Sequence, residues 1–278
     1  MSKRAACVIG WPARHSRSPK LHTYWLERYR VDGAYRAEEV RPEDFAHFVG
    51  HLAARGYAGA NVTLPHKEAA LALSLPDARA RAVGAANTLW LDNGRLRSTN
   101  TDVEGFVAAL DASAPGWDQR AHSAIVLGAG SAGRAIVFGL LERGLAQIHV
   151  VNRTLARAEE FRGLYGASVQ PATWDDLPRL LAGSRLLVNT TSLGMSGYPD
   201  LELDLAPMGE GAVVADIVYV PLRTRLLAAG QRRGLATANG LDMLLYQAVR
   251  GFELWFGIRP EVTAEQRAML AADIEGKG

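Results

Sequence analysis

The sequence predicts an α/β chain of two compact units, and three observations carry the prediction. Short apolar runs of β type, "CVIG", "GANV", "AIVLG", "IHVVN", "LLVNT" and "AVVADIVYV", alternate with helix-length amphipathic stretches, the order of a parallel-sheet architecture. The length, 278 residues, exceeds the usual single domain and leaves room for two cores. Near Thr101 and Asp102 the helical run "DVEGFVAALDA" leads into the loop "SAPGWDQRAHS" before a new strand begins, so this helix is expected to bridge the two units.

Composition excludes several classes. Apolar residues at 48% and charged residues at 22% are ordinary for a globular chain, which removes disorder and fibrous repeats. The net charge is +2 with a pI near 8.8, and the basic residues are scattered in pairs such as Arg223 with Arg225 or Arg232 with Arg233. That is no nucleic-acid footprint. Cys7 is the only cysteine, so no intrachain disulfide or thiolate cluster can form, and a reducing compartment fits. "AACVIGW" is too short for a signal segment and no later run approaches a membrane span, so the expected location is the cytoplasm.

Taken in order, the first strand leads to "HSRSP", where Ser16 and Ser18 lie two apart. In an extended segment their hydroxyls point the same way and can hold one carboxylate; turn-capping serines before Pro19 are the plain alternative. "FAHFVGHLAARG" reads as an amphipathic helix, and its i, i+4 pair His47 and His51 lacks the glutamate of an HExxH arrangement, so no metal site is expected. "GANV" is a strand, and "NVTLPHKE" ends it at a proline followed by Lys67. Read alone, Lys67 is a solvated lysine at a helix start. The late stretch "GLDMLLYQAVRGFELWFG" sets Leu241, Leu244, Leu245, Ala248, Phe252 and Trp255 at helical spacing, a broad apolar face long enough to pack back on the first unit. Met243 and Gln247 sit four apart on it.

The most specific local motif lies in "SAIVLGAGSAGRAIVFGLLERG": an apolar strand, then Gly128-Ala129-Gly130-Ser131-Ala132-Gly133, then a helix. This is the dinucleotide-binding order. The first glycine permits the turn, the second lets a pyrophosphate approach the backbone, the third allows close helix packing, and the helix N-terminus supplies N–H donors. About 20 residues after the glycines, where an NAD-binding fold carries an acidic residue on the ribose 2′-hydroxyl, the chain has Asn152. Arg153, Thr154 and Arg157 follow, a set able to hold a 2′-phosphate, so the expected cofactor is NADP. The bland reading has Thr154 capping the helix and both arginines solvated.

These pieces together resemble the shikimate dehydrogenase family: "GWPARHSRSPKLH", "GANVTLPHKE", "GAANTL", "NTD", the glycine loop with "NRT", "NTTSLGM", "DIVYVP" and "NGLDMLLYQA" occur in family order over most of the chain. The resemblance implies a Rossmann-type NADP domain, residues 102–239, inserted in a discontinuous α/β substrate domain of residues 1–101 with helices 240–278 packing back on it. It implies reversible, NADPH-dependent reduction of 3-dehydroshikimate to shikimate in aromatic amino-acid biosynthesis, by a monomer or homodimer. Lys67 is then the catalytic residue beside Asp102, because hydride delivery to a ketone needs a proton donor and a cation at the oxygen. Ser16 and Ser18 hold the substrate carboxylate, while Thr63, Asn87, Tyr219 and Gln247 meet other polar groups of the substrate. Thr191, Ile217 and Gly240 border the nicotinamide half of the cofactor, and His66 is given no catalytic role. The alternatives are an NAD-using quinate/shikimate paralogue, disfavoured by Ser18 and Asn152, and a catalytically silent nucleotide sensor, disfavoured by Lys67 with Asp102.

Overall fold

The computed structural model describes residues 4–276. They form two compact units: one runs to Asp102 and adds Gln247–Leu270, and the other is Val103–Tyr246 with the chain from Ala271 on.

The first unit is built from β1 (Arg4–Gly10), α1 (Ser18–Arg28), β2 (Gly33–Glu39), α2 (Phe45–Gly50), β3 (Tyr57–Val62), α3 (Lys67–Ala72), β4 (Leu75–Pro76), α4 (Ala78–Val83), β5 (Thr88–Asp92) and β6 (Arg95–Thr99). Its six strands run in the order β2-β1-β3-β5-β6-β4. The sheet is mixed rather than wholly parallel, because β5 runs antiparallel to both β3 and β6. The reversal is local: Asn93 and Gly94 adopt φ of 51° and 74°, the left-handed pair that a two-residue hairpin turn requires. The helix expected over "FAHFVGHLAARG" stops at Gly50, where His51 N bonds Phe48 O and Leu52 N bonds Val49 O in tighter i→i+3 turns.

One face of this sheet buries Cys7, Ile9, Phe45, Phe48, Leu52, Val62 and Leu89 in a single apolar cluster. An aromatic group gathers around His22, whose ring stacks on Tyr35 at 4.0 Å and neighbours Trp25, Phe252 and Trp255. Burial lowers the His22 pKa to about 3, against a smaller upward pull from Asn61, so this histidine is a neutral core ring. Trp255 closes the group by donating its indole N–H to Leu89 O at 2.8 Å.

From the first unit the chain enters α5 (Asp102–Ser113), then α6 (Trp117–Arg120), β7 (Ser123–Leu127), α7 (Ser131–Glu142), β8 (Gln147–Val151), α8 (Leu155–Tyr165), β9 (Val169–Ala172), α9 (Leu177–Gly183), β10 (Leu186–Asn189), β11 (Val213–Asp216), α10 (Arg225–Arg232), β12 (Ala236–Ala238), α11 (Gly240–Phe256) and α12 (Ala264–Ile274). The six strands β12-β11-β10-β7-β8-β9 are all parallel, the doubly wound order. Strands such as "AIVL" are apolar at every position because helices cover both faces. Val126, Ile136, Leu140, Val150 and Phe161 pack on one side, and Ile125, Leu127, Leu187, Val214 and Leu226 on the other.

Two local expectations change. The loop "SAPGWDQRAHS" contains the short helix α6, pinned by buried Trp117, whose indole N–H donates to Asp111 Oδ1 at 2.9 Å. The run "AVVADIVYV" is a strand only to Asp216, because the Asp216 carboxylate takes the N–H of Val218 at 3.0 Å. The late apolar helix is present as α11 and crosses from one unit to the other: Met243 lies in the core of the second, so residues 240–246 count with that unit.

Gly59 shows how tight the first core is. A methyl group there would sit 2.1 Å from the Trp255 indole nitrogen and 2.2 Å from Leu89 O. Gly59→Ala is expected to destabilise the protein by about 1–3 kcal/mol through overpacking, read as a lower urea midpoint; an unchanged midpoint would show that the indole yields freely.

Candidate active site

The segment "NVTLPHKE" builds one wall of the site. After β3 ends, Thr63 N still bonds Ile9 O at 2.9 Å, and His66 N then bonds Thr63 O at 3.0 Å to close the turn from which α3 starts. His66 is buried, donates Nε2–H to Val40 O at 2.7 Å, and stacks on Phe45 with ring centres 4.4 Å apart. Desolvation lowers its pKa. It is a neutral pin that fixes the backbone just before Lys67.

Lys67 does open a helix, but not as a solvated side chain. Its Nζ lies 2.5 Å from Asp102 Oδ2, with the two side chains only 13% and 10% exposed. The other carboxylate oxygen, Oδ1, accepts from Asn87 Nδ2 at 2.8 Å. Asp102 is positioned from two sides: it begins α5, and its N–H donates to Asn100 Oδ1, whose own amide holds Ala85 O. Asn87 is held in turn by Thr101, whose N–H donates to Asn87 Oδ1 at 2.7 Å. The Thr101 hydroxyl lies within 3.3 Å of Gln247 Oε1. Lys67, Asp102, Asn87 and Gln247 are therefore joined in one hydrogen-bonded group. An amide both donates and accepts, but here the Asn87 acceptor is already engaged, so this side chain offers a ligand only N–H.

Ser16 and Ser18 are brought together differently from an extended pair. Pro19, in the first turn of α1, favours helix, so Ser18 is the buried first residue of α1, and Ser16 Oγ accepts the Ser18 N–H at 3.2 Å. Two hydroxyls then stand at a helix N-terminus, where backbone donors and the dipole also favour an anion. Thr63 is half-buried beside Gly10, where an added methyl would meet its Cγ2 at 2.5 Å. Tyr219 is half-buried in the loop after β11 of the second unit.

The dinucleotide turn fits its ligand class. Gly128 has φ of 101°, a value side chains rarely adopt. A methyl group on Gly130, the residue before α7, would meet nothing within 4 Å, so the backbone there lies open to a bound group. One on Gly133 would lie 2.7 Å from Gly128 O, so helix and strand need that glycine. Ala129, Ser131 and Ala132 flank the turn, half-buried. After β8, Asn152 donates Nδ2 to Thr154 O at 2.9 Å, and Arg153, Thr154 and Arg157 are exposed. Thr154 occupies the N-cap position of α8 but makes no capping bond with its side chain, contrary to the bland reading. Thr191 donates Oγ to Asn189 Oδ1 at 2.7 Å, and Gly240 packs so closely on Ile217 that a methyl would sit 2.1 Å from Ile217 O. The His47 and His51 rings lie tilted at 36° with centres 4.3 Å apart; among the described residues no three or more His, Cys, Asp or Glu are arranged to hold a metal.

Comparison with known proteins agrees with this geometry. Family models match over three stretches: the shikimate dehydrogenase substrate binding domain over residues 8–89, shikimate / quinate 5-dehydrogenase over 112–195, and the shikimate 5′-dehydrogenase C-terminal domain over 240–270. The chain is 62% identical over 276 residues to the shikimate dehydrogenase (NADP(+)) of Rhodopseudomonas palustris strain TIE-1, covering 99% of both chains. It is similar to the crystal structure of shikimate 5-dehydrogenase from Thermus thermophilus in complex with NADP(H) and shikimate, with 35% identity, a TM-score of 0.83 and coverage of 98% and 99%. It also resembles quinate dehydrogenase from Corynebacterium glutamicum in complex with NAD, at 27% identity, a TM-score of 0.88 and coverage of 97% and 99%.

Sequence reasoning missed the residues that hold these groups in place: Asn61, Thr88, Asn100 and Thr101 in the first unit, Asn189 and Asp216 in the second. For Asn189 and Asp216 the available signal was a polar residue at the C-terminal end of an otherwise apolar strand, where parallel sheets build sites. Asp216 is buried and accepts from Asn189 Nδ2 and Val218 N through Oδ1 and from the Thr224 hydroxyl through Oδ2. Those three bonds favour the carboxylate, yet desolvation outweighs them and raises its pKa from 3.8 to about 6. The fold thus prefers the protonated acid, and stability is lost as pH climbs from about 4 through 6, on the order of 3 kcal/mol in all. Asp216→Asn should flatten the fall in urea midpoint between pH 4 and pH 7 relative to wild type; parallel pH curves would refute the assignment.

Proposed function

Because the chain belongs to the shikimate dehydrogenase family, we propose that Lys67 and Asp102 are the pair that handles the proton in its reaction. The chain is an NADP-dependent oxidoreductase that interconverts 3-dehydroshikimate and shikimate, a step of aromatic amino-acid biosynthesis. The observation that carries the site reading is the 2.5 Å contact between Lys67 Nζ and Asp102 Oδ2 in a nearly closed environment. When bound, NADPH supplies the hydride. Reduction builds negative charge on the substrate oxygen; the Lys67 ammonium stabilises that charge and gives up a proton to it. Asp102 keeps the ammonium in place and accepts from a neighbouring substrate hydroxyl. In the oxidation direction the same groups take the proton back.

The other assignments follow from what each group offers. Ser16, Ser18 and the start of α1 suit the substrate carboxylate, with Thr63, Asn87, Tyr219 and Gln247 for the ring hydroxyls. Gly128 to Ala132 suit the pyrophosphate; Asn152, Arg153, Thr154 and Arg157 suit the 2′-phosphate, with Asn152 standing where an acidic residue would repel it; Thr191, Ile217 and Gly240 suit the nicotinamide half. A reducing, cytoplasmic setting goes with this reading, since Cys7 is the only cysteine and no intrachain disulfide can form. Monomer and homodimer both accord with it.

Lys67→Ala is expected to lower kcat by roughly 10²–10³, with a smaller change in shikimate binding; steady-state and binding measurements decide, and near-normal turnover would sink the role. Wild type should favour NADP over NAD strongly. Arg153→Ala should weaken NADP binding roughly ten- to hundredfold and NAD binding much less, while Asn152→Asp should shift preference toward NAD by repelling the phosphate. Equal losses for both cofactors in Arg153→Ala would assign that arginine to stacking or structure.

A further inference from the structure

The group that joins Lys67 to Asn87 has a node behind it that touches neither the lysine nor the aspartate. Thr88 is the first residue of β5 and has no exposed surface. Its hydroxyl accepts from Asn61 Nδ2 at 3.2 Å, donates to Asn87 Oδ1 at 3.1 Å, and lies 3.1 Å from the Thr101 hydroxyl. Asn61 cannot turn its amide the other way, because its Oδ1 already accepts the Tyr35 hydroxyl at 2.6 Å and its Nδ2 also reaches Asn87 O at 3.3 Å. With Asn61 donating to it, the Thr88 hydroxyl has a single proton to give, and Asn87 Oδ1 and the Thr101 hydroxyl are both in reach of it. Asn87 aims Nδ2 at Asp102 Oδ1 because the Thr101 N–H already occupies its Oδ1 at 2.7 Å, and the Thr88 hydroxyl is a further donor to that same oxygen. The Thr101 hydroxyl has two acceptors in reach, Asn87 Oδ1 at 3.2 Å and Gln247 Oε1 at 3.3 Å, and a Thr88 proton on Asn87 leaves the Thr101 proton for Gln247.

We propose that Thr88 is a positioning residue: by donating to Asn87 Oδ1 it reinforces the Asn87 amide and frees the Thr101 proton for Gln247, so that both amides beside the Lys67–Asp102 pair present N–H to the substrate and Asp102 is the acceptor. A flipped Asn87 would set an oxygen against the Asp102 carboxylate and release its hold on it. The substrate consequence is a preference for ring hydroxyls that accept from the amides and donate to Asp102, which a keto or ether oxygen at the same place cannot do. The proposal rests on the reading of Lys67 and Asp102 as the reacting pair.

The test compares Thr88→Val, which keeps the shape and removes the hydroxyl, with Thr88→Ser, which keeps the hydroxyl. Folding should tolerate the valine, because Asn61 Nδ2 still has Asn87 O and Asn87 Oδ1 still has Thr101 N. Expected for Thr88→Val are a kcat lower by about five- to tenfold, an unchanged KM for NADP, and a shift of the Asn87 side-chain amide signals in the 15N–1H spectrum of the unliganded protein. Thr88→Ser should restore both kcat and spectrum. Wild-type kcat in Thr88→Val, unmoved Asn87 signals, or equal losses in the two variants in step with thermal stability would each overturn it. The amide signature needs no turnover, so it is separable from the fate of the Lys67 reading, which Lys67→Ala decides.

Discussion

The first unit depends on a nearly buried ion pair at its working end, and burial is what makes that pair demanding. Two charges withdrawn from water are stabilising only if the geometry is good and the remaining lone pairs and protons find partners. Asp102 meets that demand with Lys67 on one oxygen and Asn87 on the other. Its N–H and the next one back are tied down as well, to Asn100 and to Asn87. The polar residues of "NVT", "NTL" and "NTD" come from three separate chain segments, yet each closes a bond that another would leave open. A pair assembled this way is aimed rather than merely stabilised, which is what a proton-transferring group needs.

The second unit solves a similar problem with one buried acid. Asp216 ends β11 and is bonded by Asn189 at the end of β10 and by Thr224 before α10. Asn189 in turn holds the N–H and hydroxyl of Thr191. The loops after two adjacent strands are thus cross-tied at the sheet edge where doubly wound folds take their ligand. The expense of the arrangement appears in the raised pKa of Asp216: the tie is made with a carboxyl that the interior would rather keep protonated.

Much of this molecule was legible in its residues. The central parallel strands of the second unit carry long apolar runs such as "AIVL", the mark of a sheet covered on both faces, and the glycines at 128, 130 and 133 show left-handed φ, open backbone and close helix packing in turn. The antiparallel β5–β6 pair was less legible because β6 holds a single apolar residue, Leu96, and the turn signal, Asn93-Gly94, is only two residues long. The backbone setting of Ser16 and Ser18 was not legible from their spacing, since two apart means a shared side only in extended chain, and Pro19 favours helix there.

The sequence by itself determined which chemistries were available: a dinucleotide turn without the acidic residue that follows it in NAD-binding folds, a lysine after a strand-ending proline, an aspartate at the start of a helix, one cysteine. Those are properties of residue type and local order, which short-range sterics and hydrogen bonding enforce. Only the tertiary structure decided that Lys67, 35 positions from Asp102, would lose its water and meet that carboxylate, and that Thr88 would stand behind Asn87 as a further donor to its amide oxygen. Burial and the direction of a hydrogen bond belong to pairs of distant residues, and no single stretch of chain carries them.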